Sequence, residues 1–200
     1  MTAPYNYPAM PHERRHGPAG YGHYESYRPW LRDEFSFRCV FCLARENWGP
    51  FHGQFAIDHF VPAMNQPDAS AEYENLLYCC VTCNGVKGSR SVPDPLSTLW
   101  EQSVRVDADG ILHAETTDAA HLIELLDLNQ PRKVEFRSTW IAVVSLSQRH
   151  DAELRRRLMG YPDDLPDLSR LRPPAGNSRP EGIAESHDAR RARGELSAIC

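Results

Sequence analysis

Long apolar runs are missing from this sequence. No window approaches the roughly 18 uninterrupted apolar residues that a membrane-spanning helix needs. The N-terminal stretch MTAPYNYPAMPHERRHGP also lacks the apolar core of a secretory signal peptide. We therefore expect a cytoplasmic protein with no membrane partner.

An excess of positive charge is missing as well. The 200 residues carry 22 Lys and Arg against 27 Asp and Glu, which gives a formal net charge of -5. No global positive field therefore points to a nucleic-acid partner. The balance does not exclude an enzyme that grips a few phosphates locally while a bound cation supplies part of the compensating charge.

Composition divides the chain into four parts. Residues 1–20 are rich in Pro, Gly, Tyr and His without periodicity, and they predict a flexible arm. Residues 21–100 hold five of the six cysteines and predict the main domain. Residues 101–160 predict a hairpin and two helices that pack on this domain. Residues 161–200 are rich in Pro and charge and predict a largely disordered tail.

Local patterns predict the elements of these parts. One helix is indicated by apolar residues at helical spacing, namely Tyr27, Trp30, Leu31 and Phe35. The stretch FAIDHFVP is typical of a short strand stopped by proline, and SVRVDADGILHAE of a hairpin that turns at its Asp-Gly pair. Two further helices are expected, the first capped by Asp118 and the second beginning at Asn129 and Pro131.

Four cysteines form two Cys-x-x-Cys pairs, namely Cys39 with Cys42 and Cys80 with Cys83. In a reducing cytosol this spacing indicates metal ligands or redox centres rather than disulfides. Two pairs in one domain match a closed tetrahedral Zn²⁺ site, which is structural because four sulfur ligands leave no position for water. The alternatives are two unconnected thiol pairs or oxidised disulfides. We expect Cys79 to be a small buried hydrophobe and Cys200 a free thiol.

An Asp-His pair lies between the two cysteine pairs. Asp58 and His59 end the predicted strand, and Asn75 and Asn84 fall in the segment that returns to the second cysteine pair. An isolated Asp-His pair is more often a surface or core-edge feature. Here, closure of a zinc site would bring a carboxylate, an imidazole and amide oxygens around one point, a set that can accept a proton from water and hold an oxygen-preferring cation. The nearby His52 is given no role.

The order Cys39-x-x-Cys42, IDHFVP and ENLLYCCVTCNGVKG resembles the zinc-containing branch of the HNH endonuclease family, over about residues 39–88. The resemblance implies an α+β fold with a small ββα-metal core, a structural zinc site of four cysteines and flanking helices. By motif position, Asp58 would be a ligand of a catalytic cation, His59 the general base and Asn75 the residue that orients this base. Asn84 stands where the family often has His, which favours Mg²⁺ or Mn²⁺ as the catalytic cation.

This resemblance implies a hydrolase that cleaves phosphodiester bonds in DNA, and RNA is not excluded. The alternative is a non-catalytic, zinc-stabilised module that binds nucleic acid or protein. Lys87 and Arg90 could bind phosphates that flank the cut, although basic residues at a Gly-terminated helix end also complement the helix dipole. The chain has no recognisable helix-turn-helix or zinc-finger reader, so we expect limited sequence specificity or a protein partner that supplies it.

Overall fold

The computed structural model describes residues 4–48, 55–65 and 67–199. Within them, helices are combined with two separate two-stranded antiparallel sheets, so the protein is of the α+β class, as the sequence predicts. No helix in this part of the chain is both long enough and apolar enough to cross a membrane.

The first sheet and the helix after it carry the Asp-His pair and the second cysteine pair. Strand β1 (Phe55–His59) pairs antiparallel with strand β2 (Leu76–Cys80). Helix α2 (Val81–Lys87) begins directly after β2 and ends at Gly88, whose φ of 54° lies in the left-handed region that glycine adopts at little cost. This stretch of the chain therefore has the order strand, strand, helix.

Helix α1 (Arg28–Glu34) packs against β2. Its Trp30 and Leu31 are fully buried, and Tyr27 immediately before it is buried with them. Burying an apolar side chain of this size contributes about 1.5–3 kcal/mol. The core role that the helical spacing predicts for these residues is confirmed.

The second sheet is the predicted hairpin, formed by β3 (Val104–Val106) and β4 (Leu112–Ala114). Its turn contains Gly110, which has a φ of 83°. A Cβ atom at this position would meet the backbone of Val134 and Ser138 in the long helix that packs over the turn. Glycine is therefore required here both by the turn conformation and by the close helix.

The other α-helices of the described residues follow in chain order. They are α3 (Pro95–Thr98), α4 (Thr117–Leu125), α5 (Pro131–His150), α6 (Ala152–Met159) and α7 (His187–Ala192). The sequence predicts one helix over the stretch that forms α5 and α6. The chain breaks between them at Asp151, whose side chain accepts a hydrogen bond from the backbone N–H of Leu154 at 2.8 Å and so begins a new helix.

Both predicted helix caps after the hairpin are wrong by one or two residues. Thr116 caps α4, and Asp118 lies in its first turn instead. The residue before α5 is Gln130, because the side chain of Asn129 is used elsewhere. Asn129 accepts a hydrogen bond from the backbone N–H of Leu112 at 2.9 Å and donates one to its carbonyl at 2.8 Å, which ties the start of α5 to β4.

The N-terminal segment differs from the expected flexible arm. Tyr5, Tyr7 and His16 are buried, and the Tyr7 hydroxyl donates a hydrogen bond to the Phe41 carbonyl at 2.8 Å. Trp48 stacks edge-on against Tyr5 with ring centroids 5.2 Å apart. Burial of the aromatic rings offsets the conformational entropy that this segment loses on ordering, although its overall apolar content is low.

The C-terminal segment likewise differs from the expected disordered tail. Asn177 forms an antiparallel bridge with Pro18, and Gly182 passes so close to the Arg15 carbonyl that no side chain would fit there. Further on, the backbone N–H of His187 donates to the buried Asp33 carboxylate at 2.7 Å. Polar contacts with distant residues order this segment, and composition does not reveal such contacts.

Candidate functional site

Four sulfur atoms converge where β2 meets α2. The Sγ atoms of Cys39, Cys42, Cys80 and Cys83 all lie within 4.8 Å of one another, and those of Cys42 and Cys80 are 3.8 Å apart. Four sulfurs bound at about 2.3 Å to one tetrahedral zinc ion lie about 3.8 Å apart, whereas a disulfide requires about 2.05 Å. The cluster is therefore compatible with one metal ion such as zinc, and the predicted convergence of the two pairs is confirmed.

Local backbone geometry holds each cysteine pair in place. In the first pair, Leu43 adopts a φ of 58° and its N–H donates to the Cys39 carbonyl at 2.9 Å, so the chain turns tightly around the sulfurs. In the second, the Cys80 sulfur accepts a hydrogen bond from the Cys83 backbone N–H at 3.4 Å and caps α2. Both turns place two sulfurs on the same side of the chain.

Burial and hydrogen bonding give the four cysteines different electrostatic properties. Burial raises the pKa of the Cys39 thiol. The Cys80 sulfur accepts hydrogen bonds from Cys39, Cys42 and Cys83, and these bonds lower the pKa of Cys80 far below its usual range. Four converging sulfurs are suited to a cation, because a bound cation stabilises the thiolates that bind metals.

Cys79 is next to the cluster in sequence but outside it in space. Its side chain is fully buried, and its Sγ atom lies 3.9 Å from the Ala56 carbonyl on β1. Adjacent residues of a strand point to opposite faces, so Cys79 and Cys80 face different surroundings. The structure agrees with the expectation of a buried small hydrophobe. Cys200 and His52 lie outside the described residues.

Asp58 lies near the end of β1 and is 5% exposed. Its Oδ1 atom is 3.1 Å from the Nζ atom of Lys87, whereas its Oδ2 atom is buried and has no hydrogen-bond partner within the described residues. Burial raises the pKa of Asp58, and the adjacent Lys87 ammonium opposes that rise. A buried carboxylate oxygen without a partner is costly, and it is a donor that hard divalent cations prefer.

His59 is half-buried at the end of β1. Its Nε2 atom lies 2.9 Å from the carbonyl oxygen of Ser70, and its ring makes an edge contact with Tyr24 at a centroid distance of 5.0 Å. A carbonyl can only accept a hydrogen bond, so Nε2 carries the proton and Nδ1 of the neutral ring does not. His59 is thus held in the tautomer whose Nδ1 atom can accept a proton.

Asn75 precedes β2 and is buried. Its Oδ1 accepts a hydrogen bond from the Val61 backbone N–H at 2.7 Å, and its Nδ2 donates to the carbonyls of Val61 at 3.1 Å and Ala69 at 3.2 Å. Ala69 adjoins Ser70, the residue that orients His59. Asn75 therefore closes the connection between β1 and β2 around the imidazole, which supports the positioning role proposed for it from the sequence.

Asn84 lies in the middle of α2, one turn before Lys87, and is half-buried. Residues three apart lie on the same side of a helix, so Asn84 shares the side from which Lys87 reaches Asp58. The Asn84 side chain has no hydrogen-bond partner among the described residues, and its amide remains available to a ligand. The structure thus places Asp58, His59 and Asn84 on neighbouring parts of β1 and α2.

The two basic residues expected to bind phosphate are placed differently. Lys87 is fully buried, with its Nζ atom 3.1 Å from Asp58 Oδ1 and 2.8 Å from the His59 carbonyl oxygen. It therefore has no surface to offer a substrate. Arg90 is exposed and donates hydrogen bonds to the carbonyls of Val86 and Lys87, so it complements the end of α2.

Two contacts of His59 escape sequence reasoning. The Ser70 acceptor is a backbone carbonyl, and a pattern of side chains does not predict which carbonyl will accept the bond. Tyr24 lies 35 residues before His59, and the tyrosines around it predict only a helix face. Their proximity to the imidazole depends on how the segment before α1 (Arg28–Glu34) packs on the first sheet.

Comparisons of the chain with models of known protein families, with curated proteins and with solved structures found no match.

Proposed function

We propose that this protein is a metal-dependent endonuclease of the HNH type that hydrolyses phosphodiester bonds in DNA. The observation that carries the proposal is the hydrogen bond of His59: its Nε2–H is held by the Ser70 carbonyl, which leaves Nδ1 to accept a proton, and the residue before it on β1 is the buried Asp58. The order of β1, β2 and α2 around these residues is the one expected of a ββα-metal core.

In this proposal His59 is the general base. A neutral imidazole whose Nε2–H is fixed by a carbonyl can take a proton from water only at Nδ1, so the direction of proton transfer is set by the fold. A correctly placed base of this kind accelerates hydrolysis by about 10²- to 10⁴-fold. Asn75 contributes indirectly, because it fixes the loop that carries the Ser70 carbonyl.

Asp58 and Asn84 are the proposed ligands of a catalytic Mg²⁺ or Mn²⁺ ion. The donor set fits, since both residues offer oxygen and Asp58 Oδ2 is buried without a partner within the described chain. When bound, such a cation supplies positive charge to the phosphate and leaving oxygens. Cys39, Cys42, Cys80 and Cys83 would hold a separate Zn²⁺ ion that only stabilises the fold, because four sulfurs leave no open position.

The acidic net charge of -5 argues against broad electrostatic attraction to nucleic acid. We propose that sequence selection is limited or comes from a protein partner. RNA is a second substrate to be tested, because the proposed chemistry acts on the phosphodiester and does not depend on the sugar.

Supercoiled plasmid and a structured RNA, incubated with purified protein in Mg²⁺, Mn²⁺ or EDTA, test the proposal. Wild type should cut only with a divalent cation, and His59→Ala should reduce cutting by about 10²-fold or more. His121→Ala, an exposed histidine on α4, is the matched control and should cut as wild type does. Equal cutting by His59→Ala and His121→Ala would remove His59 from the mechanism.

The buried ion pair between Asp58 and Lys87 favours a second candidate, the non-catalytic module. An ion pair satisfies one oxygen of Asp58 without any divalent cation, as would be expected of a purely structural carboxylate. A folded, zinc-loaded wild type that retains DNA in a gel-shift assay but cuts neither nucleic acid with any cation would support this candidate.

A further inference from the structure

Lys87 occupies an unusual position for a lysine. It lies in the last turn of α2 with a fully buried side chain, and its Nζ atom contacts both Asp58 Oδ1 at 3.1 Å and the His59 carbonyl at 2.8 Å. Burying an ammonium costs free energy unless it is paired, so the contacts of Lys87 must offset a marked desolvation penalty. The two residues it contacts are the two at the centre of the proposed site.

The carboxylate of Asp58 is divided between two surroundings. Oδ1 receives the Lys87 ammonium, whereas Oδ2 is buried and has no partner within the described residues. One oxygen is therefore committed to the protein and the other remains available as a ligand atom. Asp58 can hold a cation through Oδ2 while Lys87 keeps its place on Oδ1.

We propose that Lys87 is a built-in counter-ion that weakens divalent-cation binding at Asp58 until a nucleic-acid phosphate enters the site. The inference rests on the proposed function, because it assigns the cation to Asp58. Lys87 thereby couples uptake of the cation to uptake of the substrate. It acts through Asp58 and His59, and so is a positioning residue.

The coupling follows from charge. A single carboxylate cannot neutralise both an ammonium and a divalent cation, and like charges a few ångströms apart repel strongly where water is excluded. An entering phosphodiester adds negative charge on the cation's open side and offsets that repulsion. By linkage, a substrate that tightens cation binding is itself bound more tightly when the cation is present.

Mn²⁺ titrations of the zinc-loaded protein, followed by electron paramagnetic resonance of the free ion, test the proposal. Lys87→Met removes the ammonium. Lys133→Met is the matched control, because Lys133 is the other lysine of the sequence and its Nζ atom donates a hydrogen bond to the Leu126 carbonyl at the end of α4. Without nucleic acid, Lys87→Met should bind Mn²⁺ about tenfold more tightly than wild type, and Lys133→Met should match wild type.

A second arm repeats the titrations with a short DNA duplex present, in proteins that also carry His59→Ala so that the duplex is not cut. The duplex should tighten Mn²⁺ binding about tenfold with Lys87 in place and much less with Lys87→Met. This arm needs no Lys87 variant to be informative. If circular dichroism or zinc content shows that Lys87→Met is misfolded, the effect of the duplex with Lys87 in place decides alone.

Two results would overturn the inference and leave the proposed function standing: equal Mn²⁺ affinity of folded Lys87→Met and wild type, or no effect of the duplex when Lys87 is present. The variant Asp58→Asn distinguishes failure of the Lys87 role alone from failure of the whole cation site. If the protein binds no Mn²⁺ even with the duplex present, or if Mn²⁺ binding survives Asp58→Asn unchanged, the assigned cation site is wrong, and the proposed function falls together with the role of Lys87.

Discussion

The imidazole Nε2 atom of His59 lies 2.9 Å from the carbonyl oxygen of Ser70, across the connection that joins β1 to β2. Through this contact the shape of a loop sets the tautomer and the orientation of the imidazole. A substitution that displaces residues 69–70 therefore changes the orientation of the imidazole without contacting it.

Asn75→Ala should lower both stability and nuclease activity. The substitution leaves the backbone groups of Val61 and Ala69 short of a partner, at a cost of about 1–3 kcal/mol in the free energy of unfolding. Urea unfolding and plasmid cutting measure the two effects. Asn65→Ala, at an exposed position in the same loop, is the control and should change neither. Full activity in folded Asn75→Ala would contradict the positioning role.

The neighbouring pair Cys79 and Cys80 separates metal binding from burial. Cys80→Ser should reduce the zinc content from about one ion per chain and lower the melting temperature, because it removes one of four converging sulfurs. Cys79→Ala should retain the zinc, since its sulfur lies outside the cluster. Metal analysis of the purified proteins decides between them, and equal zinc loss in both variants would contradict the assignment of ligands.

Because of Glu34, the free energy of unfolding should decrease as the pH falls into the acid range. Burial alone would raise its pKa, but hydrogen bonds from His12 and the Arg15 backbone, together with nearby charges, lower the pKa of Glu34 from 4.5 to about 2. The unfolded chain therefore takes up the proton first. The stabilisation, on the order of 3 kcal/mol, is fully present above about pH 4.5 and is lost as the pH falls towards 2.

Glu34→Gln removes this contribution, so its melting temperature should vary less than that of wild type between about pH 4.5 and 2. Glu124→Gln, at an exposed position on α4, is the control, and it shares any loss of metal at low pH. Thermal melts across this range give the comparison. A Glu34→Gln profile that parallels Glu124→Gln would show that the buried carboxylate is not the acid-sensitive group.

His187→Ala tests whether the C-terminal segment is part of the fold. His187 donates a hydrogen bond from Nδ1 to the buried Asp33 carboxylate at 2.8 Å, and its loss should cost about 1–3 kcal/mol in the free energy of unfolding. His150→Ala, at the exposed end of α5, should be neutral. The denaturant midpoints of the two variants decide the question. Equal midpoints would show that the C-terminal segment does not stabilise the fold, as expected of a disordered tail.

Features with local causes could be predicted from the sequence. The Cys-x-x-Cys spacing fixes which sulfurs lie together, the Asp-Gly pair fixes the hairpin turn at Gly110, and the helical spacing of Trp30 and Leu31 fixes a buried face. In each case the pattern and the structure it specifies lie within a few residues or depend on one repeated motif. The mixed α+β class follows from these elements.

Features with distant causes could not be predicted. Lys87 at a Gly-terminated helix end looks like a solvated cation, and only the packing of α2 on β1 turns it inward to Asp58. Asp33 likewise finds its partners in His16 and His187, which lie 17 residues before it and 154 residues after it. Composition cannot reveal such pairs, and for this reason it predicts a flexible N-terminal arm and a disordered C-terminal tail.

The placement of Cys79 and Cys80 on opposite faces of β2 gives the metal cluster an additional consequence for folding. A one-residue slip of β2 along β1 would present Cys79 instead of Cys80 to the other three sulfurs and would also move the partner of His59 away from Leu76. Only the native alignment completes the four-sulfur set. Metal binding would therefore stabilise only the native register of β1 and β2, on which the position of the His59 imidazole depends.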